Sequence, residues 1–209
     1  MDEKTQLLVD KGQMLPLMEE FYTIQGEGFH MGKAAYFIRI GGCDVGCHWC
    51  DVKESWDASK HPMTDVQTVI DLPAEHDQVA VITGGEPMMW DMGNLTNGLN
   101  NRSIRTHLET SGAYPHSGTW DWVCLSPKKT MPAIPVWHTL ADELKVIIHN
   151  AHDLQWAQAH ADKVNEDCVL YLQPEWSKRE TILPSIIAHL EAHPEWKLSL
   201  QTHKYLGMP

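Results

Sequence analysis

The chain of 209 residues carries 16 Lys and Arg against 28 Asp and Glu, a formal net charge of -12. That length buries one sizeable core and requires no second, so residues 1–209 are expected to form a single domain. The shortage of basic side chains argues against a large nucleic-acid footprint, which needs concentrated Lys and Arg. No run approaches the roughly 18 apolar residues of a membrane span, and the start "MDEKTQLLVD" lacks the basic and apolar regions of a secretory signal. The expectation is a soluble, cytoplasmic protein acting on a small molecule, with no nucleic acid and no membrane as partner. In a reducing compartment its five cysteines favour metal or redox chemistry over disulfides.

In chain order, the first apolar run of strand length is "AAYFIRI" (34–40), followed by an amphipathic stretch at about 64–72. "QVAVIT" (78–83), a helical stretch at 92–101 and "SIRTHLE" (103–109) come next. "WDWVCL" (120–125), "ELKVII" (143–148), a helix at 152–161, "CVLYLQ" (168–173), a helix at 179–192 and "WKLSL" (196–200) complete the series. The strands are rich in Val, Ile and aromatics, and their alternation with helices predicts an α/β domain with a largely parallel sheet. The alternation fails at "TSGAYPHSGT" and at "SPKKTMPAIPVWHTLAD", whose Gly and Pro content makes full crossover helices improbable. The predicted architecture is a partial, mostly parallel βα barrel with reduced helix content. Most of the 13 histidines lie in contexts such as "AHLEAHPEW", where an ordinary surface or packing role is expected.

Two motifs carry chemistry. After the first predicted strand, "GGCDVGCHWCD" places Cys43, Cys47 and Cys50 on one loop. Three thiolates can hold three irons of a four-iron cluster and leave the fourth open, or they can join His48 or another residue around zinc. After the second, "VITGGEP" puts Gly84 and Gly85 where the backbone must turn sharply and can approach a ligand closely. Cys124 and Cys168 sit inside apolar runs and read as buried core thiols. Of the nine tryptophans, Trp49 between two of the clustered cysteines is the one placed to shield a cluster or to pack on a base; the others, Trp56 included, read as core or interface.

Cys-x3-Cys-x2-Cys after one strand and Gly-Gly-Glu-Pro after the next together resemble the radical S-adenosylmethionine (SAM) superfamily. The resemblance implies a 4Fe-4S cluster whose open iron is chelated by SAM, and an electron that cleaves SAM to a 5′-deoxyadenosyl radical. The longer block "FYTIQGEGFHMGKAAYFIRIGGCDVGCHWCD", with "HLETSG", "VCLSPK", "YLQP" and "LSLQTHKYLGMP" in order, resembles the 7-carboxy-7-deazaguanine synthase family across nearly the whole chain. That family converts 6-carboxy-5,6,7,8-tetrahydropterin to 7-carboxy-7-deazaguanine with loss of ammonia, in queuosine and other 7-deazapurine synthesis, and its members are lyases. By this resemblance Cys43, Cys47 and Cys50 ligate the cluster. Gly84, Gly85, Glu86, Glu109, Thr110, Ser111, Ser126, Pro127, Lys128, Gln173 and Pro174 are expected around SAM. Ile24, Gln25, Gly26, Arg39, Thr83, His203 and the terminal carboxylate of Pro209 are expected around the pterin, with Arg39 forking onto its carboxylate.

One position departs from the family pattern. The family it resembles usually reads Cys-Asp-Thr or Cys-Asp-Ser at the last cysteine, with that hydroxyl as the protein ligand for magnesium; here the run is Cys50-Asp51-Val52. Valine offers a hard cation no oxygen, which puts magnesium in doubt for this chain. Substrate and water could hold the ion, Asp51 could move in, or the metal is dispensable. A flavodoxin or ferredoxin as electron donor and a homodimer are also implied by the resemblance. A glycyl-radical activating enzyme would share the cysteine spacing but would not need Arg39 or the "QTHKYLGMP" end. A structural zinc protein would leave the Gly-Gly-Glu-Pro turn unexplained.

Overall fold

The computed structural model describes residues 2–73 and 79–208. One nine-stranded sheet organises them: β1 Met14–Ile24, β2 Ala34–Ile40, β3 Met63–Asp65, β4 Val79–Gly84, β5 Arg105–Thr110, β6 Trp122–Leu125, β7 Glu143–Ile148, β8 Val169–Pro174 and β9 Trp196–Leu198. Their order is β3-β1-β2-β4-β5-β6-β7-β8-β9. The β1–β2 and β1–β3 pairs are antiparallel, and every pairing from β2 to β9 is parallel. β3 and β9 are the two edges, so the sheet curves without closing. This is the partial βα barrel anticipated from the strand–helix alternation.

The helices are α1 Glu3–Asp10, α2 Val66–Asp71, α3 Gly93–Asn100, α4 Val136–Leu140, α5 His152–Ala161, α6 Arg179–Ala192 and α7 Thr202–Leu206. Aspartates start the first two: Asp2 accepts from the Thr5 amide at 2.9 Å and Asp65 from the Gln67 amide at 2.8 Å, satisfying donors that a helix leaves open. The link from β5 to β6 has no helix, and the link from β6 to β7 has only the five residues of α4. Trp137 on α4, fully buried, fills the space a crossover helix would cover, and its indole donates to the Tyr114 carbonyl at 2.7 Å. Bulk from one aromatic replaces several turns of helix there.

Each strand has two different faces. Ile38 and Ile40, Ala80 and Ile82, Leu108, Val123 and Leu125, Leu144, Val146 and Ile148, and Leu172 pack together with the helices as one apolar core. The alternate residues turn to the concave side, because successive side chains of a strand point to opposite faces. Arg39, Thr83, Glu109, Lys145 and Gln173 are among them. Parallel register sets Arg39 beside Thr83 and Ile147 beside Gln173. The β1 strand and the N-terminal helix α1 were not anticipated: "MLPLMEEFYTI" contains Pro16 and two glutamates, and it pairs at the antiparallel side of the sheet.

Candidate functional site

The concave face opens, at the C-terminal ends of the strands, into a cavity of about 540 Å³. That is within the range of about 300–1,000 Å³ usual for small-molecule sites, which in α/β folds collect at these strand ends. Its walls include Ile24, Gln25, Gly26, Arg39, Cys43, Cys47, Cys50, Thr83, Gly84, Gly85, Glu86, Glu109, Thr110, Ser111, Ser126, Lys128, Gln173, Pro174 and His203. Residues spread over 180 positions of sequence thus meet in one hollow. Of the residues expected there, Pro127 is buried off the cavity wall: it points away between Ser126 and Lys128, as strand-end alternation requires. Pro209 lies outside the described residues.

The cysteine loop is anchored from below. Gly42 donates to the Ser55 carbonyl at 2.6 Å, Cys43 to the Trp56 carbonyl at 3.1 Å, and the Trp90 indole to the Gly41 carbonyl at 2.9 Å. The glycine pair docks onto the same root: the Gly85 amide donates to Ile40 O at 2.8 Å and the Glu86 amide to Gly42 O at 2.9 Å. A Cβ on Gly84 would meet the Ile40 amide nitrogen at 2.4 Å, and one on Gly85 would meet Gly42 O at 2.3 Å. Gly84 also has φ of +119°, a left-handed conformation that favours glycine. The two motifs are therefore one structural unit, and the glycines are what permit their contact.

Glu86 proves to be a strut. Only 2% exposed, its carboxylate accepts from the Thr110 hydroxyl at 2.5 Å, the Ser111 amide at 2.7 Å and the Ser111 hydroxyl at 2.5 Å. The hydroxyl hydrogens of Thr110 and Ser111 are thereby committed inside the protein, and these two residues face the cavity with what remains of their acceptor capacity. Lys128 donates to both oxygens of Ser126, with Ser126 Oγ at 2.7 Å, and its ammonium lies 5.8 Å over the Trp49 ring.

The three thiols are half-buried and free. Burial pushes Cys43 up to about 11, with Glu86 and the neighbouring thiols adding to the rise; burial also raises Cys47, against the pull of the Lys128 ammonium. Without a bound cation Cys43 and Cys47 stay protonated, and a group that takes them as thiolates must displace those protons. Among the described residues no three His, Cys, Asp or Glu side chains converge on a single ion. A tetrahedral zinc would need its sulfurs at about 2.3 Å from one point, whereas a cube of irons is met at separate corners. Three soft donors on one loop at a cavity wall fit the iron–sulfur cluster.

Magnesium does not fit in the same way. Val52 has no side-chain oxygen, and its carbonyl already accepts from the Ser55 amide at 3.1 Å and the Ser55 hydroxyl at 2.6 Å. Asp51 Oδ2 accepts from Lys204 Nζ at 2.5 Å and from Gln201 Nε2 at 3.1 Å.

A charged lattice crosses the cavity floor, joining Gln25 and Glu109 to Lys145 and Gln201, which the sequence reading missed. Lys145 Nζ donates to Glu27 Oε2 at 2.6 Å and lies 3.6 Å from Glu109 Oε2. Gln25 Nε2 donates to Glu109 Oε1 at 2.9 Å, and Gln201 Nε2 to Glu27 Oε1 at 2.9 Å. Burial works against both charges of the central pair, but attraction prevails: Lys145 is held well above the usual lysine range and Glu27 below the usual carboxylate range. The signal was present in "ELKVII", where charges at alternate positions of an apolar strand put Glu143, Lys145 and Ile147 on one face. Arg39 also arrives partnered, donating to Glu19 Oε1 at 2.6 Å and stacking over Phe21 at 5.0 Å. His203 packs against Gly26, where a Cβ would meet its Nδ1 at 2.3 Å, and burial lowers its pKa.

The chain is similar to the crystal structure of QueE from Escherichia coli, with a TM-score of 0.82 and 29% identity, covering 97% of this chain and 100% of that one. Its fold is the open, partial βα barrel of the radical SAM type. No protein-family profile matches the sequence. The 7-carboxy-7-deazaguanine synthase of Flavobacterium psychrophilum is 55% identical over 207 residues, 99% of each chain, and that of Synechocystis sp. is 47% identical over 197 residues, 92% of this chain and 93% of the relative. The chain belongs to the 7-carboxy-7-deazaguanine synthase family.

Proposed function

We propose that this enzyme converts 6-carboxy-5,6,7,8-tetrahydropterin to 7-carboxy-7-deazaguanine with release of ammonia, as a carbon–nitrogen lyase in 7-deazapurine synthesis that serves queuosine and transfer RNA modification. One observation carries the reading: in a chain 55% identical to such a synthase end to end, the cysteine loop, the glycine turn and the Arg39–His203 region open onto the same cavity. Cys43, Cys47 and Cys50 would hold a 4Fe-4S cluster, which with SAM supplies a 5′-deoxyadenosyl radical able to take hydrogen from the pterin C6.

The chain's own residues would do the positioning. Backbone groups of Gly84 and Gly85 lie against the root of the cysteine loop, near where the methionine end of SAM belongs. Glu86 holds Thr110 and Ser111 rigid beside it, and Glu109, Ser126, Lys128, Gln173 and Pro174 wall the nucleoside end. On the pterin side, Ile24, Gln25 and Gly26 offer backbone and amide groups to the ring edge, Thr83 and His203 offer hydrogen bonds, and the Arg39 guanidinium retains donors beyond the one given to Glu19. A flavodoxin or ferredoxin as reductant, a homodimer and a single domain over 1–209 belong to the same proposal.

The test is anaerobic purification with iron and sulfide analysis, then reduction in the presence of SAM and the carboxytetrahydropterin. Formation of 7-carboxy-7-deazaguanine is expected. Cleavage of SAM with no deazaguanine would retain the radical chemistry and overturn the substrate.

A further inference from the structure

The turn that follows β1 is tied to the segment that follows β9. The Gly28 amide donates to Ser199 Oγ at 3.0 Å and Gln201 Nε2 donates to Glu27 Oε1 at 2.9 Å. Thr202 gives the Gly26 carbonyl two bonds, from its amide at 2.9 Å and from its hydroxyl at 2.8 Å. Ser199 Oγ donates in turn to Gln173 Oε1 at 2.6 Å, which anchors the segment to β8. Among the described residues no strand pairing joins β1 to β9, so these bonds hold the two sides of the hollow together where the sheet is open. Gly26 is a buried residue of the cavity wall, and both lone pairs of its carbonyl are taken by Thr202. Its amide has no acceptor among the described residues, an uncommon state for a buried backbone donor and one that an acceptor on a ligand relieves. His203 packs on the same glycine, since a Cβ there would meet its Nδ1 at 2.3 Å. Thr202 stands behind the wall and acts through Gly26 and His203, which form it.

We propose that Thr202 is a positioning residue of the pterin site: by occupying the Gly26 carbonyl with its amide and hydroxyl it fixes the turn so that Gly26 meets the ligand with its N–H, and it seats His203 against that turn. This rests on the pterin reading above. Gly26 then recognises an acceptor on the pterin ring edge, such as its carbonyl oxygen.

The experiment uses reconstituted enzyme. Thr202→Val keeps the shape and the amide and removes only the hydroxyl donor. It should raise the KM for the pterin about 3- to 10-fold, the net worth of one neutral hydrogen bond, with kcat, the KM for SAM and the iron content unchanged. Thr202→Ser, which keeps the hydroxyl, should restore the wild-type KM. A folded Thr202→Val enzyme with an unaltered KM for the pterin overturns the proposal. So does a rise shared equally by pterin and SAM, and so does a serine variant as impaired as the valine one. Should Thr202→Val fail to fold, hydrogen exchange on the wild type decides. The Thr202 amide is expected to be protected with and without the pterin, and the Gly26 amide to gain protection when the pterin is added. A freely exchanging Thr202 amide, or a Gly26 amide indifferent to the pterin in enzyme that turns over, removes the positioning role and leaves the pterin reading standing. If wild type makes no deazaguanine at all, the pterin reading falls and this proposal with it.

Discussion

The two ends of the concave face treat polar groups in opposite ways. At the strand C-termini, Lys145, Glu27, Glu109, Gln25 and Gln201 form a connected set around about 540 Å³ of open space. At the strand N-termini, His30, His107 and Glu143 face a space of only about 10 Å³, and His30 Nε2, His107 Nε2 and Glu143 Oε1 have no hydrogen-bond partner among the described residues. That end is plugged by rings: Phe29 stacks on Trp122 at 4.8 Å, and His30 meets His107 at 4.4 Å. Burial holds both histidines down at about 4 and raises the Glu143 carboxyl. The open end keeps its charges by pairing them, and the sealed end keeps its two histidines neutral.

The comparison breaks most completely at the cysteine loop. Alanine at Cys43, Cys47 or Cys50 should leave too few thiolates for the cluster and abolish turnover, which iron analysis beside the product assay would check. Next in size is Gly85→Ala, whose methyl would push the glycine turn off Gly42. A shift of that kind at a reacting centre costs about 100-fold in rate, and single-turnover kinetics on enzyme with normal iron content would separate misplacement from cluster loss.

Lys145→Met tests the pairing itself. It strands Glu27 and Glu109 in the interior and should destabilise the fold by about 3–5 kcal/mol, read from denaturant midpoints. The smallest effect belongs to the sealed end. His30 and His107 have folded pKa values below the unfolded value, so the unfolded chain binds more protons between about pH 6.5 and 4. Stability should be full above that window and fall as pH drops through it. His107→Phe should flatten the acid limb of the melting curve and leave turnover unchanged; an equally steep limb would remove His107 as its source.

Much of this was legible in the residues. Apolar runs placed β2 and β7 at their observed bounds and most other strands within a residue or two, because the core-facing positions of each strand are filled by Val, Ile, Leu or Ala. The Gly- and Pro-rich segments after β5 and β6 correctly announced missing helices. β1 escaped because its glutamates and Pro16 break the apolar signal, and α7 because five residues carry no period.

The sequence by itself determined the chemistry that depends on short spacing: three thiols in eight residues, two glycines after a strand, a valine without side-chain oxygen two residues after Cys50. Such signals are local, since one loop or one turn holds all the atoms involved. Only the tertiary structure decided that Glu86 is a strut, that Glu27 pairs with Lys145 across 118 positions, and that Lys204 reaches Asp51 across 153. Those pairings follow from sheet curvature and from the return of the C-terminal helix over the cavity. Long-range geometry of that kind is set by the packing of the whole barrel, and no window of sequence contains it.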